Sequence, residues 1–359
     1  MPFFPLSKSI KAFILGFITT ALLFTAYLLS AKPLSYEPST IFSGAISSSY
    51  AATIADKAWW TSEVRKPRFA YVQYVTEFDY LCNSLINAAR LLRFEVDADI
   101  VILIPLGWSK KKKSSSEGRL IAYARAKYPT VIFTEVKLMS TGKGDKTWMD
   151  SLTKFRAFEQ TEYTRVLAFD SDVLVMNNMD HLFLAPKVAL AVPRAYWLNK
   201  DAQNLGSQVL ASHIMLLEPS ERMFQLLLDT AEATGDFDME VVNSVFNSSA
   251  MILPHRGLAM LTGEFRAQDH SAYLVSGTGL AEEWNGYAEL SRAFIVHFSD
   301  WPLPKPWRPR TKQQWDAALP PCEAGDVERD DRPACADRVA WESVYEEYSS
   351  EKKAVCEVM

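Results

Sequence analysis

The chain has 359 residues, 48% of them hydrophobic and 23% charged, with a formal net charge of -5. That acidic balance argues against a nucleic-acid-binding surface, and the basic run Lys110 to Lys113 reads as a solvated loop. The four cysteines, Cys82, Cys322, Cys335 and Cys356, follow no zinc-ligand spacing.

Residues 1–11 carry Lys8 and Lys11 and are expected to form a cytoplasmic tail. Residues 12–31 are 20 consecutive positions without a charge, about 30 Å as a helix and so one bilayer core. A cleaved signal peptide has a shorter apolar region and a small-residue cleavage site, for which Ser30-Ala31-Lys32 is a weak candidate. Positive charge ahead of the segment favours a cytoplasmic amino terminus and a lumenal body. The expectation is a single-pass type II anchor. Residues 32–66, rich in Ser, Pro, Thr and Ala and without hydrophobic periodicity, read as a flexible stem. Residues 67–359 show no second linker and read as one domain.

Within that body, Phe69 to Val75 read as a strand, and Phe78 to Leu92 as a helix. Ile100 to Ile104 form a second strand; Leu120, Ile121 and Ala124 then share one helical face. Val131 to Val136 is a third strand, after which Asp150 is placed to N-cap a helix carrying Leu152, Phe155 and Phe158. Val166 to Phe169 read as a strand buried on both faces. Strands follow at Val188 to Val192 and Ala293 to Val296, with helices at Ser220 to Ala231 and Met239 to Phe246. Trp341, Val344, Tyr345 and Tyr348 repeat at i, i+3, i+4 and i+7, which packs an amphipathic tail helix onto the body. Strands alternating with helices predict an α/β domain with a mostly parallel sheet that binds ligands at its carboxyl edge.

Asp-x-Asp occurs three times, at Asp97/Asp99, Asp170/Asp172 and Asp236/Asp238. The first precedes an apolar run and marks a solvated strand start; the last stands at a helix start, where the dipole favours carboxylates. Only Asp170/Asp172 follow a buried strand. Extended backbone repeats every two residues, so both carboxylates can aim at one point with Ser171 turned away. Two hard oxygen donors suit a divalent cation; a polar turn is the other reading of the same residues.

In an oxidising lumen one disulfide among the last three cysteines is expected, with Cys322–Cys335 closing the shortest loop. Cys82 shares an apolar helical face with Leu81, Leu85 and Leu92 and reads as a buried free thiol. Asn247-Ser-Ser is an N-glycosylation sequon if exposed there.

Several stretches together resemble glycosyltransferase family 8, the glycogenin-like retaining enzymes. The block from Leu152 to Phe183 is similar throughout, including Lys154, Asp170-Ser171-Asp172 and Asn178-x-Asp180. Val296-His-Phe-Ser-Asp-Trp-Pro-Leu-Pro-Lys-Pro-Trp307 is similar to the family's late His-Phe…Lys-Pro-Trp signature, and Thr76 with Tyr80 is a weaker match. The resemblance covers roughly residues 69 to 310 and implies a GT-A fold, a UDP-sugar donor and a divalent metal, usually manganese (Mn2+, or else Mg2+). Three features depart from the family: Ala211-Ser212-His213 stands for Asn-Ser-Gly, Asp238-Met239 for Asp-Gln, and His297 to Lys305 is two residues longer. These features are similar to the branch of fungal Golgi α-N-acetylglucosaminyltransferases that cap mannan side chains. That branch implies UDP-GlcNAc as donor, a mannan-type glycan acceptor and a Golgi membrane location with the catalytic domain in the lumen.

By the same resemblance Asp170, Asp172 and His297 would hold the metal against the donor diphosphate, the imidazole favouring manganese. Lys305 would neutralise the diphosphate as UDP leaves, and Lys154 would contact donor phosphate or sugar. Thr76, Tyr80 and Ser171 would line the donor site, Tyr80 by stacking on uridine. Asp238 would grip donor or acceptor sugar hydroxyls, with a helix N-cap as the other reading. His213 and Met239 would shape the sugar pocket. Trp301 and Trp307 are candidates for sugar stacking or for plain aromatic packing. No nucleophilic carboxylate is assignable, so front-face attack is the expected retaining route. Two alternatives stay open: a family member using glucose, galactose or glucuronate, and an inactive Golgi glycan-binding scaffold.

Overall fold

The structure is a computed structural model that describes residues 68–110, 114–141, 149–198, 208–274, 282–322, 327–329 and 331–357. They belong to one compact unit, Lys66–Met359.

The strands are β1 (Phe69–Tyr74), β2 (Asp99–Pro105), β3 (Val131–Val136), β4 (Arg165–Phe169), β5 (Val173–Val175), β6 (Leu190–Pro193), β7 (Ile214–Leu217), β8 (Met251–Leu253), β9 (Met260–Leu261) and β10 (Ile295–His297). The helices are α1 (Phe78–Arg93), α2 (Ser116–Lys127), α3 (Glu221–Thr234), α4 (Asp238–Phe246), α5 (Ser271–Leu274), α6 (Gly286–Arg292), α7 (Lys312–Ala318) and α8 (Ala336–Val355). Seven strands form the main sheet in the order β3-β2-β1-β4-β7-β6-β8. Only β7 runs against its neighbours, so the sheet is mostly parallel as expected. A smaller sheet, β5-β10-β9, lies beyond the end of β4.

Residue alternation along β4 shows why the sheet is covered on both sides. Leu167 and Phe169 join the core beneath α1, α2 and α8, whereas Val166 and Ala168 join the core beneath α3 and α4. All five β4 residues are buried. The polypeptide leaves β1 towards β2 on one side, while β4 flanks β1 on the other. The crevice at the carboxyl ends of β1 and β4 is therefore the topological switch point.

α1 carries a buried polar row, Ser84, Asn87 and Arg90, inside an otherwise apolar face. These side chains serve the segment after β4. Ser84 Oγ lies 2.9 Å from Ser171 Oγ, Asn87 Nδ2 donates to the Val173 carbonyl at 3.0 Å, and Val175 N donates to Asn87 Oδ1 at 3.0 Å. Arg90 Nε donates to the Val175 carbonyl. β5 thus has β10 on one edge and α1 side chains on the other, satisfying backbone that would otherwise be buried and unpaired.

The structure corrects several expectations. The expected fold class put a single transmembrane helix and a stem ahead of the sheet. Among the described residues no helix is long and apolar enough to cross a membrane; the tail 1–11, the span 12–31 and the stem 32–66 lie outside the described residues. The longest described helix, α8, is unsuited because charges such as Glu342, Glu346, Glu347, Lys352 and Lys353 recur along it. Asp150 occupies the N-cap position without a side-chain cap, and the helix after it, Ser151–Glu159, is 3-10. Its Thr153 N–H bonds back to the Asp150 carbonyl three residues away, the tighter 3-10 pattern.

Cys82 is not a free thiol: it is bonded to Cys356, 274 residues on, with 5.9 Å between the Cα atoms. Cys322 pairs with Cys335. The first bridge locks α8 onto α1, where Tyr348 OH also donates to Asn83 Oδ1 at 2.7 Å and Arg90 pairs with Glu347 and Glu351. Lys110 is exposed, and 111–113 lie outside the described residues. Asn247 is exposed just past α4.

Candidate active site

Each half of the site grows from a strand ladder. Asp170 follows β4, and its N–H donates to the His213 carbonyl at 2.9 Å, extending the β4–β7 pairing by one bond. Asp172 precedes β5, and its carbonyl accepts from Phe298 N at 3.1 Å, extending the β5–β10 pairing. β10 ends at His297, so the imidazole arrives opposite the second carboxylate. One ligand atom from each of Asp170, Asp172 and His297 falls within 4.8 Å of the others. Two carboxylates and an imidazole at this spacing fit a divalent cation of the manganese type.

Two cationic partners divide the carboxylates between them. Lys154 Nζ, buried, lies 2.9 Å from Asp170 Oδ1 and 2.5 Å from Asp238 Oδ2, and donates at 3.4 Å to the Ser212 carbonyl. Ser212 Oγ donates to the same Asp238 oxygen at 2.5 Å. On the other side, His297 Nε2 is 3.2 Å and Lys305 Nζ 2.8 Å from Asp172. Lys305 also donates to the Phe298 carbonyl.

The charges follow from this division. Burial pushes the Asp170 carboxyl up to about 6, with Lys154 opposing the rise and Asp172 adding to it. Burial alone would raise Asp172, but His297 and Lys305 outweigh it and hold the group well below the usual carboxylate range. Asp238 is likewise depressed, burial being outweighed by Lys154 and Ser212. Lys154 is raised: burial opposes its charge, and Asp170 and Asp238 overcome that. His213 is pushed down to about 3, chiefly by burial and then by His297 and Lys154, so its imidazole is neutral. The two rings stand 5.5 Å apart, and His213 Nε2 is buried without a hydrogen-bond partner among the described residues.

The remaining expected residues fall into place around these two clusters. Thr76 is half-buried in the turn after β1. Tyr80, in the first turn of α1, meets Trp307 edge-on at 5.6 Å. Arg308 ties that corner down through Glu77 and Asp79, at 2.5 and 2.9 Å. Ser171 points away, its hydroxyl donating to the Tyr74 carbonyl at 2.7 Å, so it holds the turn and does not face the ligand cluster. Asp238, in the first turn of α4, caps nothing; its carboxylate faces Lys154. Met239 is half-buried beside it, Trp307 is buried, and Trp301 is 88% exposed.

Sequence reasoning missed Tyr74, whose ring lies 5.9 Å from Lys154 Nζ. It also missed Ser212 as a ligand of Asp238, and Glu264. Glu264 lines a cavity of about 710 Å³ with Tyr196, Trp197, Asp269, His297 and Ser299. Its carboxylate is held by His270 Nδ1 at 2.8 Å. Spacing carries no signal for any of these, because each is brought in by a different element.

No family model matches the chain. The chain is 41% identical over 295 residues to glucose N-acetyltransferase 1 of Gibberella zeae, covering 81% of this chain and 63% of that protein. It thus spans under two thirds of that relative's length. It is 35% identical over 305 residues to glucose N-acetyltransferase 1 of Aspergillus fumigatus, covering 80% of this chain and 77% of the relative. Among solved structures it is similar to the galactosyltransferase LgtC in complex with donor and acceptor sugar analogs, with a TM-score of 0.50 at 12% identity, covering 79% of this chain and 95% of that one. The last likeness concerns fold alone. With two such relatives matched over most of the chain, this protein carries a glycosyltransferase fold and belongs to the glucose N-acetyltransferase 1 family.

Proposed function

We propose that the protein is a retaining glycosyltransferase that moves N-acetylglucosamine from UDP-GlcNAc onto mannose-containing glycan side chains. The observation that carries this reading is the convergence of Asp170, Asp172 and His297 within 4.8 Å at the carboxyl edge of the sheet, in a chain whose relatives are named glucose N-acetyltransferase 1. Those three residues would hold a divalent cation, which supplies charge neutralisation for the donor diphosphate when bound.

The protein's own residues do the rest. Lys154 fixes Asp170 and Asp238 in place and keeps both ionised partners from repelling one another. Lys305, 31% exposed and paired with Asp172, would turn its ammonium to the departing diphosphate. Thr76 and Tyr80, at the switch point beyond β1, would line the uridine. The cavity beside His297 would take the acceptor: Trp197 offers an apolar face, and Glu264 and Asp269 accept from sugar hydroxyls. In the transfer the bond from the anomeric carbon to the diphosphate oxygen breaks and one to the acceptor oxygen forms. The acceptor's proton passes to a diphosphate oxygen, in front-face attack. An oxidising compartment of the Golgi type is part of the proposal, and the two disulfides support it.

The test is UDP release by the purified protein with manganese, a panel of UDP-sugars and mannose oligosaccharides. Release from UDP-GlcNAc that needs manganese, mannoside and Asp172 supports the reading. Preference for UDP-glucose, UDP-galactose or UDP-glucuronate removes the N-acetylglucosamine assignment. Mannoside binding without release from any donor favours an inactive scaffold.

A further inference from the structure

His297 and Lys305 both reach Asp172, yet the polypeptide between them has no strand partner after Phe298 donates to the Asp172 carbonyl. Phe298 packs its ring on Tyr345 and Tyr348, and Ser299 is bonded to Thr262 and Gly263; the charged side chain that anchors this stretch is Asp300, whose carboxylate is 1% exposed. It accepts from Trp341 Nε1 at 3.0 Å and from Tyr345 OH at 2.8 Å, both on α8, and lies 3.4 Å from Arg266 Nη1. Its carbonyl accepts from Leu303 N at 2.8 Å and so closes the turn that returns the chain towards Lys305. The next residue, Trp301, is 88% exposed, and the next buried side chain of the turn is Leu303.

α8 is itself referred to the carboxylate half of the site. It is bridged to α1 by Cys82–Cys356, and α1 holds Ser171, Val173 and Val175 through Ser84, Asn87 and Arg90. The Asp170–Asp172 turn and the His297–Lys305 segment therefore hang from one helix pair. We infer that Asp300 is a positioning residue: its grip on Trp341 and Tyr345 secures the segment that runs on from β10 and, together with the β10 pairing, sets where His297 and Lys305 stand against Asp172. This rests on the reading of Asp170, Asp172 and His297 as a cation site. Groups that orient metal ligands without touching the metal typically change its affinity by about 10-fold or more when removed.

The experiment compares full-length wild type, Asp300→Asn and Tyr348→Phe. The last removes the Asn83 hydrogen bond of the same helix and leaves Asp300 alone. Manganese affinity is titrated with and without UDP, and amide exchange over Phe298–Lys305 is followed in metal-free protein. The expected result is about 10-fold weaker manganese binding and faster exchange in Asp300→Asn. Tyr348→Phe should lower thermal stability while changing neither. Wild-type affinity and exchange in Asp300→Asn, or equal losses in Tyr348→Phe, overturn the inference. A failure of the cation reading itself shows separately, as wild type that takes up no manganese, and the metal-free exchange data still decide whether Asp300 holds the segment.

Discussion

Replacing Lys154 with methionine keeps the buried aliphatic stem and removes the ammonium that stands between Asp170 and Asp238. Breaking a buried ion pair from one side costs about 3–5 kcal/mol, because the stranded charge keeps its desolvation penalty. At about 2–4 °C per kcal/mol for a domain of this size, melting should fall by roughly 6–20 °C near neutral pH. The pH dependence gives the sharper test. In wild type Asp238 is depressed by Lys154, so its contribution is present above the unfolded carboxylate value of about 3.9 and is lost only as pH falls through the folded value. In Lys154→Met burial is opposed only by the Ser212 and Ser151 hydroxyls, and Asp238 should rise above about 3.9. Its contribution is then fully present below that pH and is lost as pH rises through the raised value. The gap between the two proteins should therefore be wide at pH 8 and narrow at pH 5. Thermal unfolding at both pH values is the assay. A gap equal at the two pH values, or one under about 1 kcal/mol, would refute the account of Lys154 as the charge that holds this cluster together.

Four further outcomes follow from the structure. Asp172→Asn should cut transfer by about 100-fold or more, measured as UDP release, since one cation ligand and the partner of Lys305 go together. Chelation should abolish transfer and manganese should restore it. Manganese-dependent UDP affinity should fade as pH drops through about 6, where Asp170 takes up a proton in competition with the cation, as calorimetry across pH 5–7.5 would register. Cys356→Ser should cost about 2–5 kcal/mol by freeing α8 from α1, seen as a lower denaturation midpoint under non-reducing conditions. An unchanged midpoint would show that packing of Trp341, Val344, Tyr345 and Tyr348 suffices to dock that helix.

What the sequence by itself determined is whatever local order writes along the chain. β4 was legible because the four apolar residues Val166 to Phe169 are buried on both faces, an uninterrupted apolar run ending at Asp170. α8 was legible because its apolar residues recur at one helical face. His297 and Lys305 were found through resemblance to known motifs, since neither carries a local signature. Residues whose role is to meet another residue were not legible. Lys154 and Asp238 are 84 positions apart, and only the packing of α4 against the Ser151–Glu159 helix turns a helix-start carboxylate into an ion-pair partner. Cys82 looked like one more apolar residue of α1, because its partner lies 274 positions on. Asp300 read as part of a motif, yet its carboxylate is defined by two donors on α8. Periodicity reports which face of an element is buried; what that face is buried against is decided only when the elements close on one another, and the chemistry of this site lies in that second step.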